Sequence, residues 1–147
     1  MSLEGPEAAP AAGSAPRSRA DNVALAWLPA ILYTGFIWWL SSQPIKLDGI
    51  EHFPFQDKGV HFVEYGTLCL TICFAVFRTW PGRGVRAALA AVLITVGLGL
   101  LDELHQAFVP SRSSDGLDLL ADLLGAMVFA LAYYGVRRWR GRAHAHD

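Results

Sequence analysis

Polar and apolar positions separate along this chain into long blocks. From Val23 to Leu40 the sequence VALAWLPAILYTGFIWWL holds no charged side chain. Wound as a helix it rises about 27 Å, close to the hydrocarbon thickness of a bilayer. Trp38 and Trp39 stand at its far end, where amphipathic rings favour an interface. Pro29 falls inside the run, and a membrane helix tolerates it with a kink. Further apolar runs cover about 59–77, 87–101 and 117–136. They are weaker, because His61, Glu64, Asp118 and Asp122 intrude or because the run is short. The pattern predicts an all-α protein, a four-helix transmembrane bundle with spans near 23–42, 59–77, 87–104 and 116–136 in a domain over 21–140. A soluble bundle of buried helices is the competing arrangement. Four runs joined by short polar loops leave few residues to cover such a core.

The ends read differently. Met1 to Ala20 is rich in Ala, Pro, Gly and Ser without apolar periodicity, which predicts a disordered N-terminal tail. Glu4 and Glu7 stand where a signal peptide would be basic. Residues 141–147 are expected to form a C-terminal tail. RRWRGR before it reads as an anchor beside anionic lipid, and the two trailing histidines read as solvated.

Composition and charge sharpen the picture. Apolar residues make up 53% of the 147, and charged residues 17%, below the roughly 25% of a soluble domain. The net charge of −1 gives no basis for nucleic-acid binding. The basic residues are placed asymmetrically. Arg17, Arg19, Arg78, Arg83, Arg86, Arg137, Arg138, Arg140 and Arg142 fall on one side of a four-span layout, and Lys46, Lys58 and Arg112 on the other. The positive-inside rule then makes this a multi-pass protein of the cell membrane with both termini cytoplasmic.

The acids show the opposite bias. Asp48, Glu51, Asp57, Glu64, Asp102, Glu103, Asp115, Asp118 and Asp122 fall on or near the outer face. The positive-inside rule does not demand this, since acids count little in it. Helical spacing groups several of them. Asp57, His61 and Glu64 share one face of the second span, with Lys58 and Tyr65 on a neighbouring stripe. Asp102 lies three residues before His105 and four before Gln106. Asp115, Asp118 and Asp122 form a carboxylate stripe descending into the fourth span, continued by Gly125, which lets a helix approach closely. An ionised carboxylate in hydrocarbon costs at least about 2.5 kcal/mol, so these groups are expected to face the bundle interior and find partners or take up protons.

Three segments together resemble the VanZ-like family of small bacterial membrane proteins. They are DKGVHFVEYGTL (Asp57, Lys58, His61, Phe62, Tyr65), LDELHQAFVPSR (Asp102, Glu103, Gln106, Phe108, Arg112) and DGLDLLADLLGA (Asp115, Asp118, Gly125), and the resemblance spans about 41–130. The family usually has Asn where this chain has Asp122. The resemblance implies a multi-span membrane protein whose founding member is linked to resistance to the glycopeptide teicoplanin, with no agreed reaction or substrate. It also implies that the three segments converge in one outer-side site.

Three functions fit these residues. The first is an enzyme on a cell-envelope or lipid-linked substrate such as a cell-wall precursor. There His61 would be general acid or base with Asp102 and Glu103, while Asp57, Lys58, Glu64, Tyr65, Gln106, Arg112, Asp115, Asp118 and Asp122 bind substrate. The second is a non-catalytic protein that binds a precursor, the drug or a partner, with the cluster as a structural hydrogen-bond network. The third is a small proton- or ion-coupled carrier using Asp118 and Asp122, for which duplicated halves are missing. Imidazole and carboxylate from His61, Glu64, Asp102, Glu103 and His105 suit Zn, Mn or Fe. HExxH and Cys/His spacings are missing, so no metal or cofactor is assigned. Cys69 and Cys73 read as packing residues, and Ser111, Ser113 and Ser114 as turn residues. The lipid bilayer is the expected partner, and oligomeric state is not legible.

Overall fold

A computed structural model describes residues 19–43, 56–110 and 115–143. Among them the chain forms four helices and no strand: α1 Arg19–Ser41, α2 Gln56–Thr79, α3 Gly84–Gln106 and α4 Gly116–Ala143. All four are long and apolar enough to cross a membrane. The protein is a four-helix membrane bundle. The expected tail over 1–20 and the end of the chain past Ala143 lie almost wholly outside the described residues.

Each helix is longer than the apolar run that predicts it. α1 begins at Arg19 and continues through Pro29. α2 takes in Gln56, Asp57 and Lys58, and α4 runs on through RRWRGR to Ala143. Backbone hydrogen bonding continues wherever side chains permit it, so helix ends follow turn chemistry and not hydropathy.

The helices alternate in direction. Trp27 Nε1 near the start of α1 donates to Thr79 Oγ1 at the end of α2 at 3.0 Å. Lys58 and His61 at the start of α2 meet Asp118 and Asp122 at the start of α4, so α2 and α4 run parallel. The ends of α1 and α3 meet at the same level through Ser41 and Asp102. Among the described residues one end of the bundle therefore collects most of the acids, and the other collects Arg78, Arg83, Arg86 and the arginines of α4 with Asp21.

α2 is the central element. More than half of its span is buried (56%), against 17–28% for the other three. Helices in lipid associate through close packing of small residues. The inward face of α3 is Ala87, Ala91, Thr95 and Gly99, and that of α4 is Ala121, Gly125, Ala126 and Ala130. Large apolar side chains point outward instead, among them Ile31, Leu32, Leu93 and Leu131. α2 and α4 form the most extensive helix pair. A Cβ at Gly125 would meet the Phe62 backbone carbonyl, so only glycine allows this approach. Cys69 and Cys73 are both buried as free thiols in the core that α2 organises.

Candidate functional site

At the acidic end the interior of the bundle turns polar. His61, Asp102, Glu103, Gln106, Asp118 and Asp122 are all buried, Asp102 and Asp122 almost completely at 1% and 0% exposure. Local sequence builds this site helix by helix. α4 starts at Gly116 because Asp115 caps it: Asp115 Oδ1 accepts the Leu117 N–H at 2.9 Å. That start points Asp118 and Asp122, one turn apart, toward α2 and α3. The parallel N-termini of α2 and α4 both lie at this end, and their helix dipoles give a positive potential that favours carboxylates in the first turn.

Cross-helix bonds then order the cluster. Lys58 donates to Asp115 Oδ2 at 2.8 Å and to Asp118 Oδ1 at 2.7 Å. The lysine ammonium, helped by the Leu117 N–H, holds the Asp115 carboxyl below the usual carboxylate range. His61 Nδ1 lies 3.1 Å from Asp122 Oδ1, and its ring stacks on that of Tyr65 with centroids 6.0 Å apart. An ionised Asp122 accepts, so Nδ1 carries the proton in this pairing. Asp102 Oδ2 accepts from Ser41 Oγ at 2.8 Å and from Gln106 Nε2 at 2.9 Å. Glu103 Oε2 accepts the Asp115 backbone N–H at 2.9 Å, tying the end of α3 to the start of α4.

Among the described residues Lys58 and His61 pair with three carboxylates, Asp115, Asp118 and Asp122, while Asp102 and Glu103 are bonded to uncharged donors. Among the described residues Asp102 Oδ1, Glu103 Oε1 and Asp122 Oδ2 are buried without a hydrogen-bond partner in good geometry, as is the Tyr65 hydroxyl, which lies close to Asp102. The site is sealed at its base by Asp102 and Asp122. It opens at Lys58 and Asp115, whose side chains are 22% and 42% exposed.

The arrangement joins most of the residues that spacing singles out. His61, Lys58, Tyr65, Asp102, Glu103, Gln106, Asp115, Asp118 and Asp122 meet at one end of α2, α3 and α4. Glu64 is half-buried and lies within electrostatic reach of Tyr33 and Tyr65, on the side of α2 that faces α1. The Asp57 side chain and Arg112 with its neighbouring serines lie outside what the structure describes. Ser41, buried and bonded to Asp102, has no counterpart in the spacing argument, nor does Ser42, whose Oγ lies 2.9 Å from His105 Nε2. The one signal for them is a pair of hydroxyls directly after Leu40, which ends the first apolar run.

The arrangement can do acid–base chemistry through the Asp122–His61 pair, present Lys58 to an anion, or hold a cation between carboxylates. No match is found among curated proteins or among solved structures. The family model described as VanZ/LLP1 matches residues 14–138, which covers all three polar segments and most of the chain, and the protein therefore belongs to the VanZ/LLP1 family.

Proposed function

We propose that this protein binds and acts on a lipid-linked or cell-envelope substrate from the outer face of the membrane, through the polar end of its bundle. The observation behind this reading is the group of buried carboxylate oxygens left without partners beside His61. Ionisable side chains within membrane helices are costly, and a network kept only for stability would leave few such atoms unmatched. In this reading His61, positioned by Asp122, exchanges a proton with the substrate, and Asp102 and Glu103 complete the acid–base set. Lys58 and Arg112 supply cationic partners for a phosphate or carboxylate. Substrates of this class occur at the outer leaflet, which agrees with the asymmetric placement of the arginines. A role in teicoplanin resistance follows if the substrate is a cell-wall precursor.

Two measurements test the proposal. Reporter fusions after Arg86 and after Arg142 are expected to read cytoplasmic, and fusions after Glu51 and Ser114 external. The reverse pattern would place the site at the wrong leaflet. Lipid extracts of cells with and without the gene are expected to differ in a lipid-linked envelope precursor. Identical extracts, with unchanged teicoplanin susceptibility, would count against any role on such a substrate.

A further inference from the structure

We infer that His61, Glu103 and Asp118 together hold a divalent first-row transition-metal ion. The three side chains come from three different helices, α2, α3 and α4, and all are buried. Each offers one ligand atom, and these atoms lie within 4.8 Å of one another. A stripe of acids along one helix would not achieve this, because its members point to one side and cannot surround an ion.

Glu103 supplies an independent sign. It is 6% exposed, its Oε2 is occupied by the Asp115 N–H, and its Oε1 is buried with no hydrogen-bond partner among the described residues. A lone buried carboxylate oxygen is costly, and a cation relieves that cost directly. Asp118 gives Oδ1 to Lys58, so Oδ2 is the oxygen that would bind. His61 has Nδ1 against Asp122, the outer-sphere carboxylate that commonly orients a ligating imidazole, so Nε2 is the nitrogen that would bind. A dication also offsets the surplus of carboxylates in the described cluster.

The donor set selects the ion. One imidazole with two carboxylates suits Zn²⁺, Mn²⁺ or Fe²⁺, whereas Mg²⁺ and Ca²⁺ favour oxygen alone and Cu⁺ favours thiolates. Bonds of about 2.0–2.2 Å need donors about 3–3.5 Å apart, so the three side chains would close by about 1 Å around the ion. Three protein ligands leave a coordination position open for water or for an anionic group of a substrate. This inference concerns the ion alone and does not depend on the envelope substrate proposed above.

The test uses full-length protein in detergent, stripped with chelator and titrated with Mn²⁺, following the loss of the free Mn²⁺ signal by electron paramagnetic resonance, with Zn²⁺ as competitor. His144 and His146 are replaced by Ala in every sample, since imidazoles of the tail would take up the same ions. Wild type is expected to bind one Mn²⁺ per chain, displaced by Zn²⁺. Glu103→Gln, which keeps an acceptor for the Asp115 N–H, is expected to abolish stoichiometric binding. Asp122→Asn is expected to weaken it about 10- to 100-fold, as loss of an outer-sphere partner does. Asp21→Asn, at the opposite end of the bundle, should leave it unchanged. Melting curves establish that each variant is folded. Absence of saturable Mn²⁺ and Zn²⁺ binding in wild type would overturn the assignment whatever the variants do. So would binding that survives both Glu103→Gln and His61→Ala.

Discussion

Lys58 is the residue on which the charge balance of the described cluster turns. Its ammonium bridges Asp115 at the exposed mouth and Asp118 in the sealed interior. Lys58→Met keeps the length of the stem and removes the charge, which leaves Asp118 buried beside other carboxylates. The variant is expected to lose about 1–3 kcal/mol, read from thermal or denaturant unfolding in detergent. A second substitution, Asp118→Leu, should recover part of the loss, because it removes the stranded charge. The pH dependence has a definite sign. Asp115 titrates below the usual carboxylate range in the folded protein, so its contribution is complete above about pH 4 and fades as pH falls through the depressed value. The gap between wild type and Lys58→Met should accordingly be flat between about pH 5 and 7 and narrow below about pH 4. A gap that widens on acidification would mean that Lys58 does not stabilise these acids.

Two glycines govern how closely the helices approach, and through that the register of the site. Gly125 lets α4 reach the backbone of α2 at Phe62, and at Gly99 a Cβ would stand 2.6 Å from Asp122 Oδ2. Gly125→Ala must push two backbones apart and is expected to cost about 1–3 kcal/mol in unfolding measurements. Gly99→Ala meets the end of a side chain instead, so it should be milder for stability while displacing Asp122 from His61. Stability losses in the opposite order would show that the α2–α4 contact does not set the packing. These contacts also explain what was legible beforehand. The apolar runs announce four helices because lipid-facing surfaces must be continuous, and i, i+3 and i+4 spacing puts Asp118 with Asp122 and Asp102 with Gln106 on common faces. Which cation pairs with which acid of α4 was not legible, since it depends on the register that Gly125 permits between distant segments. Ser41 was invisible for a different reason: a single hydroxyl at the end of a membrane helix usually bonds its own backbone, as Ser41 also does to Ile37.

At the scale of the molecule the described charges are sorted by end: arginines gather at one, and buried carboxylates with Lys58 and His61 at the other. The lipid-facing surface is leucine-rich, and the interior packs the small residues of α3 and α4 against larger side chains of α2 such as Leu68, Ile72 and Phe77 until the acidic end, where polar atoms replace them. A bundle selected for stability alone has no need of this inversion, because apolar side chains of the same volume would pack there without desolvation cost. We propose that the acidic end serves a substrate and not the fold. The most direct measurement is the profile of lipid-linked envelope precursors in cells whose only copy of the gene encodes Glu103→Gln, at membrane levels equal to wild type. This substitution preserves the acceptor for the Asp115 N–H and nearly the same side-chain volume, so the protein should insert and fold like wild type. The account predicts the precursor profile of cells that lack the gene. A wild-type profile from the Glu103→Gln protein would contradict it.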